Sequence, residues 1–147
     1  MKLIKLLIFC YFVAACNSYV ERVNDQDDVK TAEILVNGFY RSVERGKYDE
    51  VYDNYDKDLD LQDLKLTFKK KDSLFGKLIS TSILNIQTQY VKEADSISTE
   101  YFAEVEVHYE RGKSLETLGF LKTDKKDKVL RSYYLRQILD DKTTNPN

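Results

Sequence analysis

The stretch AEVEVHY, residues 103–109, alternates apolar and polar side chains without a break. Successive side chains on a strand point to opposite faces. Ala103, Val105, Val107 and Tyr109 therefore share one face, and Glu104, Glu106 and His108 share the other with Glu110 beyond them. A strand with one buried and one wet face belongs to an antiparallel sheet. Arg111-Gly112-Lys113 then forms a short turn into a run from Leu115 to Thr123, which predicts a hairpin. Upstream, Leu84, Ile86, Thr88 and Tyr90 alternate with Asn85, Gln87 and Gln89, predicting another half-buried strand. Downstream, a charged turn at 124–127 leads to a last strand from Val129 to Leu139.

Ahead of this region the apolar period is close to four. Val29, Ala32, Val36, Phe39, Tyr40 and Val43 predict a helix, with Asp28 as its N-cap and Gly46 as its stop. Tyr48, Val51, Tyr52 and Tyr55 mark a shorter second helix. A third begins after Asp60, lines one face with Leu61, Leu64, Phe68 and Phe75, and ends at Gly76. Asp63 near its start suits the helix dipole. Three helices followed by four antiparallel strands predict an α+β domain with the helices on one face of the sheet.

The chain opens MKLIKLLIFCYFVAAC. Lys2 and Lys5 precede an apolar run from Leu6 to Ala15 that ends in small residues, the three-part layout of a secretory signal. About ten apolar residues are too few to cross a hydrocarbon core, which takes roughly 20. Val13-Ala14-Ala15-Cys16 resembles the lipobox of bacterial lipoproteins. That resemblance implies cleavage between Ala15 and Cys16, diacylglycerol on the Cys16 thiol and an acylated new amino terminus. Cys10 follows bulky Phe9 and does not fit the motif. Two or three acyl chains anchor stably, at about 0.8 kcal/mol per buried CH₂. Asn17, where an Asp would favour the inner membrane, points by the same resemblance to the outer membrane of a Gram-negative host.

The expected organisation is a signal peptide at 1–15, a lipidated N-terminus and tether at 16–28, an α+β domain at 29–140 and a disordered tail at 141–147. The whole chain carries 23 basic and 25 acidic residues; without Lys2 and Lys5 the balance is 21 against 25, a formal charge of −4. That balance argues against a nucleic-acid partner, which selects a basic face. The run Lys69-Lys70-Lys71, followed by Asp72, reads as a solvated helix face.

The order of elements resembles the cystatin-like cone of the nuclear-transport-factor-2-like superfamily, and within it an uncharacterised family of small secreted or lipidated bacterial proteins. The residues carrying this are Gly46-Lys47-Tyr48-Asp49-Glu50-Val51-Tyr52, Ser73-Leu74-Phe75-Gly76, Val105-Glu106-Val107-His108-Tyr109 and Leu115-Glu116-Thr117-Leu118. The chain departs from the family's habit in having no tryptophan. The resemblance implies three helices on a curved four-stranded sheet enclosing a cavity, and it implies no catalytic set. Such cones often dimerise through the sheet, which makes a homodimer one expected state, although Glu104, Glu106 and Glu110 oppose a flat apolar interface.

Candidate chemistry is sparse. His108, the one histidine, shares a face with glutamates and reads as a solvated, charge-paired imidazole. One histidine and no mature free thiol leave too few ligands for zinc. Of eleven tyrosines, Tyr48, Tyr52 and Tyr55 share a helical face, while Tyr90, Tyr109 and Tyr133 lie on strands. Tyrosine spacing suits packing; a cone would also let Tyr48, Tyr52, Tyr90, Tyr109 and Tyr133 line a pocket. The carboxylate pairs Asp49/Asp53, Asp56/Asp60 and Glu104/Glu106 read as solvated surface, and no phosphate loop or nucleophile motif appears. The expected function is a lipid-anchored envelope module that binds a protein or small ligand without catalysis or cofactor. The alternatives are a cone-pocket isomerase, dehydratase or hydrolase, which needs a buried Asp or Glu opposite a Tyr, and an envelope assembly scaffold.

Overall fold

The computed structural model describes residues 19–138 apart from 58, 59, 94, 95, 126 and 128. The lipobox and its Ala15–Cys16 cleavage site, the tail and Leu139 lie outside the described residues. Elements run β1 (Tyr19–Val23), α1 (Gln26–Glu44), α2 (Tyr48–Asp53), α3 (Leu61–Phe75), β2 (Leu78–Glu93), β3 (Ser96–Tyr109), β4 (Gly112–Thr123) and β5 (Val129–Ile138). The fold is α+β, with helices on an antiparallel meander in spatial order β1-β2-β3-β4-β5.

The sheet among the described residues has five strands, not four. The extra one comes from a stretch expected to be a tether. All five residues of β1 are exposed, so no alternation betrays it. It is held through its backbone, pairing Tyr19 with Lys92 and Val23 with Gln89. Asn24, at φ +52°, ends it, donating its N–H to the Thr88 carbonyl at 2.9 Å and accepting the Thr88 N–H on its side chain at 2.8 Å. The Arg22 guanidinium donates to Asp28 at 2.9 Å and lies 4.6 Å from the Tyr90 ring centroid. Asp28 is therefore a buried ion-pair partner inside α1. The N-cap is Asp25, which accepts the Asp27 N–H.

Expected helix ends at Asp60, Gly46 and Gly76 agree with the structure. Asp60 caps α3 by accepting the Gln62 N–H, and Gly46 has φ +66° just past α1. Gly76 closes α3 at φ +76°, where an added Cβ would lie 2.6 Å from the Glu110 carboxylate. No other residue meets both conditions at that corner.

The core forms where the α1 stripe (Ala32, Val36, Phe39, Val43) and the α3 stripe meet the inner faces of β3, β4 and β5. Val105, Val107 and Leu118 are wholly buried. Each such side chain contributes about 1.5–3 kcal/mol relative to exposure. Phe68 stacks on Tyr133 at 5.1 Å, and Phe39 lies 5.6 Å from the same ring. The expected hairpin is present, with Val105 opposite Glu116 and Val107 opposite Ser114, but its turn is Glu110-Arg111, because Gly112 and Lys113 already pair with Tyr109 and His108. β2 starts earlier than expected and breaks phase between Ile83 and Asn85. A bulge inserts one residue and bends the strand, so Ile83 and Ile86 pack on the core while Leu84 is 57% exposed.

Candidate functional site

Lys71 lies on the buried face of α3, in step with Leu64, Phe68 and Phe75. It is 1% exposed, which corrects its assignment to a solvated helix face; Lys69 and Lys70 are exposed as expected. Among the described residues its Nζ has no hydrogen-bond partner. The ammonium instead sits 4.4 Å from the Phe68 ring centroid, 5.5 Å from Tyr109 and 5.9 Å from Tyr48. Ring faces attract a cation but supply no hydrogen-bond acceptor of comparable strength. Burial pushes the Lys71 pKa down, against the opposing pull of Glu116 and Asp72.

Glu116 is wholly buried on the inner face of β4. Its Oε1 accepts from the Tyr109 hydroxyl at 2.5 Å and from Ser114 at 2.8 Å. Its Oε2 accepts from Tyr133 at 2.7 Å and from Tyr40 at 3.0 Å. Four O–H donors from α1, β3, β4 and β5 thus converge on one carboxylate. A buried polar group is tolerated when its hydrogen bonds are made, and this one is fully provided. Burial first, and the Glu116 charge second, drive the pKa values of Tyr40, Tyr109 and Tyr133 upward. Nearer the surface, the Tyr48 hydroxyl donates to both oxygens of Asp72 at 2.9 and 2.7 Å, and burial followed by that bond raises its pKa too.

A cleft of about 420 Å³ opens between the α1–α2 turn, the end of α3 and the β3–β4 turn, lined by Val43, Tyr48, Lys71, Asp72, Leu78 and Tyr109 among others. Arg45, Lys77, Glu44 and Glu110 also border it. Arg111 fixes this corner by donating to the carbonyls of Asp72 at 3.0 Å and Ser73 at 2.7 Å, the end of α3 where backbone acceptors are unfilled. A second concavity of about 400 Å³ lies between α1 and α2, walled by Leu35, Phe39, Val51 and Leu130. Its polar groups bond one another, Ser42 to Glu50 at 2.8 Å and Asn54 to the Glu50 carbonyl at 2.7 Å. The first cleft has the more distinctive chemistry, because a buried ammonium underlies it.

The five tyrosines named as pocket lining do not gather in one place. Tyr48 and Tyr109 line the cleft, whereas Tyr133 is buried outside its lining with its hydroxyl on Glu116. Tyr52 packs half-buried beside Tyr48, with the Lys65 ammonium 5.1 Å from its ring. Tyr90 lies towards the other end of β2 from Leu78, under Arg22. His108 is on the outer sheet face, 2.7 Å from Glu106, as its alternation implies, and that contact first of all lowers the Glu106 pKa. Asp56 departs from the solvated reading: it is 6% exposed, and its N–H donates to the Leu130 carbonyl at 2.9 Å. Among the described residues no three or more His, Cys, Asp or Glu side chains are placed to hold a metal ion. Nor is any described helix long and apolar enough to cross a membrane.

The sequence pattern alone gave no site role to Lys71, Glu116, Tyr40 or Ser114. The signal was phase: Lys71 falls between Phe68 and Phe75 in a helical stripe, and Ser114 and Glu116 alternate in step with Leu118. No family model, curated protein or solved structure matches this chain.

Proposed function

We propose that this chain is a lipid-anchored protein of the bacterial cell envelope whose α+β domain, of cystatin-like cone type, binds a ligand without catalysis. The lipobox resemblance at Val13 to Cys16 supports the anchor and, with Asn17, an outer-membrane address in a Gram-negative host. The single observation that carries the binding reading is Lys71. A buried ammonium with no hydrogen-bond partner among the described residues, at the edge of an open cleft, leaves donor capacity for something that enters.

Two experiments test this. Feeding cells a radiolabelled fatty acid should mark the wild-type chain and not Cys16→Ser; equal labelling would remove the anchor. A ligand screen by thermal shift on the full chain should find stabilisers that lose their effect in Lys71→Met. Stabilisers that act equally on both would place binding elsewhere.

A cone-pocket enzyme is the second reading, favoured by a buried Glu opposite tyrosine hydroxyls. Against it, Glu116 already accepts four hydroxyl hydrogen bonds and is not among the residues that line the cleft. A general base must reach the proton it takes.

A further inference from the structure

We propose that the cleft takes a small uncharged ligand with an apolar body and a carbonyl oxygen that accepts a hydrogen bond from Lys71 Nζ. This rests on the binding-module reading and adds the chemical class.

The class follows from what surrounds the ammonium. Glu116 and Asp72 are the two carboxylates whose charges act on Lys71. Neither donates anything to it or bonds it: Glu116 takes four hydroxyls, and Asp72 takes the Tyr48 hydroxyl on both oxygens. The N–H groups of Lys71 thus have no acceptor among the described residues. The missing element is an acceptor atom, and its charge can be read from the same groups. One ammonium faces two carboxylates, so an arriving anion meets an excess of negative charge. An arriving cation meets Lys71 itself. Around the mouth Arg45 and Lys77 are matched by Glu44 and Glu110, with the Arg111 guanidinium at the same corner held on the Asp72 and Ser73 carbonyls. A neutral acceptor satisfies the ammonium without adding repulsion, and a carbonyl is the strongest common one.

The walls supply the rest. Val43, Leu78 and the rings of Tyr48 and Tyr109 give apolar area for the ligand's body. About 420 Å³ admits a single ring with a short substituent. The lysine stem is flexible, so Nζ can rise from beneath the rings to meet an oxygen in the cleft.

Benzamide, benzoate and benzylammonium form a matched set of one ring with a neutral, anionic or cationic head. Saturation-transfer NMR titrations on the detergent-solubilised full chain should rank benzamide first, with each charged probe at least tenfold weaker. Lys71→Met should weaken benzamide about tenfold to a hundredfold, as expected for one charge-assisted hydrogen bond. Benzoate or benzylammonium binding as tightly as benzamide would overturn the charge argument and leave a ligand cleft standing. Unchanged benzamide binding in a folded Lys71→Met would overturn the role of Lys71. Silence from all three probes would remove this inference, while the thermal-shift screen on the full chain decides the binding-module reading separately. The wild-type ranking holds its force even if the variant does not fold.

Discussion

Glu116→Gln probes the interior most directly. In the native chain Oε1 accepts from Tyr109 and Ser114 at 2.5 and 2.8 Å, and Oε2 accepts from Tyr133 and Tyr40 at 2.7 and 3.0 Å. Glutamine keeps the shape and one acceptor oxygen but turns the other into an NH₂ group. Two of the four hydroxyls must then rotate to accept from the amide, and their own protons lose an acceptor. A hydrogen bond to a charged group contributes about 1.5–3 kcal/mol and a neutral one about 0.5–1.5. Exchanging two of the first kind for two of the second, and weakening the other pair, gives an expected loss of about 2–4 kcal/mol. Lys71 also loses the larger of the two attractions that oppose its desolvation, which acts in the same direction. Urea unfolding followed by circular dichroism reads this as a lower midpoint at unchanged slope. Tyr133→Phe alone should cost about 1.5–3 kcal/mol, and less in the Glu116→Gln background, with a coupling of about 0.5–3 kcal/mol for groups in one network. A Glu116→Gln protein within about 0.5 kcal/mol of wild type, additive with Tyr133→Phe, would refute the convergence of the four hydroxyls.

Three further outcomes are expected. Lys71→Met should stabilise the chain by about 1–3 kcal/mol, the cost of a buried polar group left unsatisfied, while weakening ligand response; a lower urea midpoint would count against it. Stability should fall as pH rises above about 10, because burial holds Tyr40, Tyr109 and Tyr133 above the ordinary value of 10.0, so the folded chain retains protons that the unfolded chain sheds. Lys71 acts with the opposite sign, its folded pKa lying below 10.5, so Lys71→Met isolates the tyrosine slope in urea midpoints taken from pH 8 to 12; a flat profile there would contradict it. Arg22→Ala should speed amide exchange in β1 severalfold, since the Asp28 and Tyr90 contacts tie down an edge strand with every residue exposed; unchanged exchange there would count against it.

What the sequence reveals here depends on whether burial writes a period into it. β3 is legible because its inner residues are apolar and its outer ones charged, and the helix ends are legible because Asp60, Gly46 and Gly76 have local reasons to sit there. β1 is illegible because neither of its faces is buried, and a ladder made only of backbone groups leaves no side-chain pattern. Leu84 misleads because the bulge at Ile83/Asn85 shifts the strand by one residue, which turns the following faces over. The lysine run misleads in a different way. Three neighbouring lysines read as one solvated unit, yet adjacent helical positions are about 100° apart, and only Lys71 turns inward. The alternation of β3 places Tyr109 on the inner face, but the acceptor it shares with Tyr133 lies on a third strand, a contact that no local pattern encodes.

Lys71 and Glu116 occupy positions that a simple core would give to leucine or methionine. Each is flanked in phase by apolar residues, Lys71 by Phe68 and Phe75, Glu116 by Leu118. Replacing buried charges with apolar side chains of similar volume is commonly neutral or stabilising, so folding alone is a poor reason for either. The two charges are also treated differently. Glu116 is surrounded by donors from four elements, whereas Lys71 is left with ring faces and an adjacent cleft. If the pair served only to neutralise each other, a direct bond between them would be the economical arrangement, and Nζ would not be without an acceptor. A carboxylate fixed by hydroxyls holds a favourable charge near the ammonium without occupying its N–H groups. That division of labour keeps the cation buried and its donors available, which is a property useful to a binding site and costly to a core.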